Sequence, residues 1–253
     1  MTGKRISPNE TLIPGFHGVH EALTQGHPLI REIWMMSGKR SRRVNAIVQM
    51  ARRKGIPVSL KNAAQLSRHL PGVVHQGIVA VAETFTYSDL DPIIEASLHG
   101  DGYGLVVVSD HITDQGNLGS LIRTSAFFGS HGIIIPADRS ARIGPDMLKR
   151  SAGSYLHIPI ARVVNITRTL ELLAKKGFWI IGTSGGASTS IYCFDWRRHV
   201  ALILGSEQKG ISRAARKACH EVVSIPSQGM VESLNVSVSA GAILSEILRQ
   251  RNG

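Results

Sequence analysis

The 253-residue sequence predicts an α/β protein, a mostly parallel sheet covered by helices on both faces, preceded by a smaller basic α/β module. Three observations lead there. Short, unbroken apolar runs such as Leu105-Val106-Val107-Val108, Gly132-Ile133-Ile134-Ile135-Pro136 and Val200-Ala201-Leu202-Ile203-Leu204 have the character of strands buried on both sides. Segments of helical period separate them. Charge is also uneven: residues 1–88 hold 12 Lys or Arg against 4 Asp or Glu, which is +8 of the net +11.

In chain order, the first module opens with an apolar strand at Ile33-Trp34-Met35-Met36, followed by a basic helix over 44–54 and a strand at Ile56-Pro57-Val58-Ser59-Leu60. A helix over 63–70 and the strand Gly77-Ile78-Val79-Ala80-Val81-Ala82 complete it, so the module spans 1–85. The next stretch is more polar, contains Pro92 and ends in Gly100-Asp101-Gly102-Tyr103-Gly104; it reads as a linker over 86–103. The second domain, 104–253, starts with the strand at 105–108, a helix over 117–128 closed by Gly129, and the strand at 132–136, a βαβ unit. Further buried strands follow at Trp179-Ile180-Ile181-Gly182, at 200–204 and at Val222-Val223-Ser224-Ile225. A last helix, from about 237 to 249, carries one apolar stripe of Ile243, Leu244, Ile247 and Leu248.

Several classes of function find no support. The N-terminus lacks the apolar core of a signal peptide, and no apolar run approaches the roughly 18 residues of a membrane span, so a soluble cytoplasmic protein is expected. Cys193 and Cys219 stand alone and are expected as reduced, buried thiols, and no metal site is expected. Neither G-x-G-x-x-G nor G-x-x-x-x-G-K-[ST] occurs. The basic clusters Lys39-Arg40-Ser41-Arg42-Arg43 and Arg52-Arg53-Lys54 fit a polyanion partner such as nucleic acid, because Lys and Arg displace condensed counterions. A solvated helix face explains them equally well at this level.

Three segments of the second domain carry the chemistry. In Asp114-Gln115-Gly116-Asn117-Leu118-Gly119-Ser120-Leu121-Ile122-Arg123, a turn of roughly 100° per residue puts Leu118, Leu121, Ile122 and Ser125 on the core face and leaves Arg123 and Phe127 pointing away. Asn117 stands where a helix cap belongs, and capping alone accounts for it. Leu204-Gly205-Ser206-Glu207-Gln208-Lys209-Gly210-Ile211 follows a buried strand, and its two glycines allow close backbone approach to a ligand where open α/β sheets bind one. A plain strand-to-helix turn is the alternative. Ile225-Pro226-Ser227-Gln228-Gly229-Met230-Val231-Glu232-Ser233-Leu234-Asn235-Val236-Ser237 joins the last strand to the last helix. Ser237 reads as an ordinary helix cap, and Ser233 and Asn235 fit that role less well because only one residue can fill it.

Together and in this order, these segments resemble the three motifs of the SpoU (TrmH) family of RNA ribose 2′-O-methyltransferases. Gly15-Phe16-His17-Gly18-Val19-His20-Glu21-Ala22-Leu23 and His75-Gln76-Gly77-Ile78-Val79-Ala80 resemble the family's substrate-binding extension, which is similar to a ribosomal-protein-like RNA-binding fold, so the likeness covers nearly the whole chain. It implies a C-terminal SPOUT domain with a deep trefoil knot and a homodimer. The implied cofactor is S-adenosylmethionine, contacted by Thr183, Gly205, Gly210, Ile225 and Leu234. It also implies that Arg123 is the essential arginine, with Glu207, Ser233 and Asn235 positioning it or the ribose and Asn117 holding the loop or nucleotide. The subgroup most similar modifies a guanosine of large-subunit ribosomal RNA. The same reaction on transfer RNA or another ribosomal nucleotide, or a non-catalytic RNA-binding assembly factor, remains open at the level of sequence.

Overall fold

Where the sequence alternates buried β-branched residues with short helical segments, a computed structural model builds two compact units. They are Met1–Thr86 with Ile143–His157, and Tyr87–Arg142 with Ile158–Gly253. The structure describes residues 7, 9–26, 29–38, 41–100, 102–231 and 233–253. Lys39 and Arg40 of the basic run lie outside the described residues.

In the first unit, β1 (Glu10–Pro14), α1 (Phe16–Gln25), β2 (Ile30–Met36), α2 (Arg42–Arg53), β3 (Val58–Lys61), α3 (Ala63–His69) and β4 (Ile78–Glu83) follow one another. The sheet order is β1-β4-β2-β3, with β4 antiparallel to both neighbours and β2 parallel to β3. Strand β4 is buried along its first five residues, and the alternation of its side chains sends Val79 and Val81 to a core shared with Leu12, Trp34, Leu66 and Leu70. Two of these helices start at side-chain caps. The Ser41 side chain accepts the Val44 N–H at the head of α2, and Asn62 and Gln65 form a reciprocal capping box on α3.

The chain continues with α4 (Leu90–His99), β5 (Leu105–Asp110), α5 (Gln115–Phe127) and β6 (Gly132–Pro136). The polar stretch read as a linker therefore holds a helix, and its Ile93 and Ile94 are buried in the core of the second unit. Pro92 stands in the first turn of α4, where a missing N–H breaks no intrahelical bond. Helix α6 (Pro145–Ser151) and a single 3₁₀ turn (Ser154–Leu156) then belong to the first unit.

The rest is β7 (Ile160–Val163), α7 (Ile166–Lys175), β8 (Trp179–Thr183), β9 (Thr189–Ser190), β10 (Val200–Gly205), α8 (Arg213–Ala218), β11 (Glu221–Ser224) and α9 (Val236–Asn252). These complete a seven-stranded sheet of order β7-β6-β5-β10-β8-β11-β9 in which every pairing is parallel. Register explains the near-continuous apolar strands. Val106, Val108, Ala201 and Ile203 face a cluster with α4, α7 and α8, while the alternate residues Val107 and Leu202 face the side that packs α5 and α9.

The two thiols differ from expectation. Cys193 is exposed, because it lies in the turn after β9 rather than in a strand. Cys219 is half-buried, and burial pushes its thiol up to about 11, leaving it un-ionised at neutral pH.

Candidate active site

The parallel strands β10, β8 and β11 end at one edge, and the loops that leave them enclose a cleft of about 410 Å³. Open parallel sheets bind ligands at this carboxyl edge because the loops diverge there and leave backbone groups unpaired. The loop after β10 is a tight turn in which the Gly210 N–H donates to the Ser206 carbonyl at 2.8 Å. A Cβ on Gly205 would collide with the Gly210 carbonyl group, and Gly210 itself sits at φ 61°. Glycine is required at both, by space at the first and by backbone conformation at the second.

Of the residues singled out in the sequence, Thr183, Gly205, Glu207, Gly210, Ile225, Ser233 and Leu234 all line this cleft. The Thr183 hydroxyl donates to the Ile203 carbonyl at 3.0 Å, which ties the end of β8 to β10. Asn117 and Asn235 do not line it, but meet Glu207 beside it. The Asn235 amide donates to Glu207 Oε1 at 2.6 Å and to Asn117 Oδ1 at 2.8 Å, and Asn117 Nδ2 donates to the same Glu207 oxygen at 3.2 Å. The Val236 N–H also points at that oxygen, at 3.4 Å. One carboxylate oxygen thus gathers the three motif segments.

Two assignments of capping residues change. The cap of α5 is Asp114, whose carboxylate accepts the Asn117 N–H at 2.7 Å, so Asn117 lies in the first turn with its amide free to reach Glu207. The cap of α9 is Asn235 rather than Ser237. Its Oδ1 accepts the Ser237 N–H at 2.9 Å and the Ser237 hydroxyl at 2.7 Å, while its Nδ2 serves Glu207 and Asn117. An amide carries an acceptor and a donor, so one Asn fills both roles. Arg123 is exposed on α5, as the helical spacing predicts, and makes no hydrogen bond or ion pair with any described residue.

The sequence reading passed over Ser184, Gly185 and Ser239, which also line the cleft. The first two follow β8 directly, so their place at a strand's carboxyl end was the available signal. It also missed Asp110, 1% exposed at the end of β5. Its Oδ2 accepts the Ser212 N–H at 2.6 Å and its Oδ1 lies 2.5 Å from His111 Nδ1, so it braces the far end of the glycine turn against the neighbouring strand.

Comparison with known proteins defines the class this arrangement belongs to. Residues 104–245 match the SpoU rRNA Methylase family and residues 12–88 match the RNA 2′-O ribose methyltransferase substrate-binding family. The chain is 36% identical over 251 residues to a protein named 23S rRNA (guanosine-2′-O-)-methyltransferase RlmB from Xanthomonas axonopodis pv. citri, covering 98% of this chain and all of that one. It is 32% identical to the putative TrmH family tRNA/rRNA methyltransferase YacO of Bacillus subtilis, covering 98% of both. The crystal structure of the SpoU methyltransferase AviRb from Streptomyces viridochromogenes, in complex with AdoMet, superposes with a TM-score of 0.79 at 28% identity, over 96% of this chain and 91% of that one. The protein belongs to the SpoU rRNA methylase family and is an RNA ribose 2′-O-methyltransferase.

Proposed function

We propose that this protein transfers a methyl group from S-adenosylmethionine to the ribose 2′-hydroxyl of a guanosine in 23S ribosomal RNA. The observation that carries the reading is the single cleft lined by residues of the second and third motif segments, with Asn117 of the first hydrogen-bonded at its rim. The cleft suits the cofactor in size, within the roughly 300–1,000 Å³ of small-molecule sites. It suits it in character too, with apolar Leu204, Ile225 and Ile243 beside the Thr183 and Ser184 hydroxyls and the glycine turn. Bound there, S-adenosylmethionine supplies a methyl on a sulfonium centre that an oxygen nucleophile displaces.

The chain's own task is alignment, where effective molarity lowers a barrier by about 7–11 kcal/mol. Thr183, Gly205, Gly210, Ile225 and Leu234 hold the cofactor. Arg123 clamps an RNA phosphate and stabilises the developing alkoxide, since a guanidinium keeps its proton under ordinary conditions. Glu207 and Asn235 fix the rim, Ser233 faces the ribose, and Asn117 holds the glycine turn. Residues 1–85 recognise RNA and residues 104–253 catalyse.

The enzyme works in the cytoplasm, where its substrate is made; among the described residues no helix is long and apolar enough to cross a membrane. It works as a homodimer through the exposed side of α5 and α9, where Phe127 is 81%, Val238 54% and Leu248 42% exposed. Two-prime O-methyl mapping of total RNA from a strain lacking the protein tests the substrate. Loss of one guanosine methyl in 23S RNA is expected, and a loss confined to transfer RNA overturns the assignment.

A further inference from the structure

In the first unit, the turn before α1, the turn before β4 and helix α6 come together around a cation that has no partner among the described residues. Lys149 of α6 is half-buried, and it forms no hydrogen bond or ion pair with any described residue. Its ammonium lies so close to Gly15 that a Cβ there would collide with Nζ, and the same Cβ would stand 3.1 Å from Gln76 Oε1. That Gln76 oxygen is already taken by the Phe16 N–H, at 3.2 Å. On α1, Glu21 Oε1 is engaged by His157 at 2.6 Å and by Gln25 at 3.2 Å, and no ion pair joins Glu21 to Lys149.

Burial lowers the Lys149 pKa, and burial together with the Lys149 charge lowers that of His75, whose Nδ1 accepts the Gly77 N–H at 3.1 Å. A partly desolvated ammonium without a counter-ion is unfavourable, and an anion entering the corner recovers that cost. Next in the chain to Gly15, the Phe16 ring stacks on His20, with centroids 5.6 Å apart and planes at 27°. The exposed Arg43 of α2 also lies over that ring, its guanidinium carbon 5.6 Å from the centroid. An aromatic pair capped by a guanidinium, beside a free cation, is the chemistry that takes an unpaired base and its phosphate.

We propose that this corner is a nucleotide subsite for the RNA substrate: Lys149 takes a backbone phosphate, and Phe16, His20 and Arg43 carry an adjacent unpaired base. The inference rests on the reading of the protein as an RNA methyltransferase. RNA is favoured over a free phosphate ion because the stacking platform adjoins the cation and because residues 1–88 carry +8.

The test uses the full chain, in vitro transcribed 23S RNA and two readouts, binding across a potassium chloride series and steady-state methyl transfer. Lys149→Gln is expected to flatten the slope of log affinity against log salt by about 0.7–0.9, the value of one phosphate contact. It raises KM for RNA about ten-fold, while kcat and cofactor affinity stay unchanged, and Lys149→Arg restores the wild-type slope. Phe16→Ala weakens binding about ten-fold at an unchanged slope, as loss of a stacked base does. Wild-type RNA binding with Lys149→Gln and Phe16→Ala indistinguishable from it overturns the subsite alone. A wild-type protein with no RNA affinity at any salt overturns the proposed function, and the subsite with it.

Discussion

Glu207 Oε1 accepts from Asn117, Asn235 and the Val236 backbone, whereas Arg123 donates to no described residue; the two residues therefore respond differently to removal. Arg123→Ala should leave stability within about 0.5 kcal/mol of wild type, as for an exposed side chain without contacts. It should abolish methyl transfer with cofactor affinity intact, read by tritiated methyl incorporation and titration calorimetry. Turnover at the wild-type rate would remove its role. Asn235 needs a finer test, because it caps α9 and donates to Glu207 at once. Asn235→Ala should cost about 1 kcal/mol by loss of the cap, measured as a urea midpoint. Asn235→Asp keeps the acceptor for the Ser237 N–H but sets a carboxylate against Glu207, so the cap survives and turnover falls. Equal activity of the aspartate variant and wild type would mean that the amide donor does not matter.

The C-terminal part of helix α9 is fastened by Arg251 and by Glu246, and each gives a prediction. Near its C-terminus, Arg251 donates to the carbonyls of Trp196 (3.1 Å), Tyr103 (2.7 Å), Arg198 (2.7 Å) and Gly104 (3.3 Å), and burial draws its pKa down to about 10. Arg251→Met should destabilise the protein by about 2–4 kcal/mol, since four charge-assisted bonds to carbonyls, three of them part-buried, are lost without replacement. One turn earlier, hydrogen bonds from Arg249 and then Gln250 hold the Glu246 carboxyl at about 2, below its ordinary 4.5. Its stabilising contribution is complete above pH 4.5 and is lost as pH falls toward 2. Wild type should therefore lose stability between about pH 4.5 and 2 faster than Glu246→Gln, read by urea melts across that range. Parallel curves would exclude that linkage. These fastenings mark the limit of sequence reading. The strands 105–110 and 200–205 were legible because burial on both faces demands unbroken apolar runs, and α5 was legible from its period. Helix α4 was not, because Pro92 and flanking acids resemble a loop unless its first turn is recognised. Likewise the cleft glycines could be read from the chain, but the choice of cap between Asp114 and Asn117 depends on where Glu207 folds back, a contact 90 residues away.

At the scale of the molecule, the outward faces of α5 and α9 bear on how the catalytic unit works. Phe127 follows Arg123 by four residues, so both occupy one side of α5, and Gly241 of α9 approaches Thr124 of that helix closely enough that a Cβ would stand 3.8 Å from its methyl group. On α9, Val238 and Leu248 lie ten residues apart, about 2.8 turns, so their directions differ by roughly 80° and both remain on the exposed side of the helix. A monomer would hold these apolar side chains in water, whereas a second copy covering them would also close over Arg123. The proposed dimer is thus tied to catalysis, because the surface that removes Phe127 from solvent also bounds the space beside the arginine. Phe127→Asp combined with Val238→Asp places charges in that face without touching the cleft. Sedimentation should show the wild type as a dimer and the double variant as a monomer, with cofactor binding kept and methyl transfer lost. A monomeric variant that still transfers methyl at the wild-type rate would separate the dimer from the chemistry, and each chain would then build its site alone.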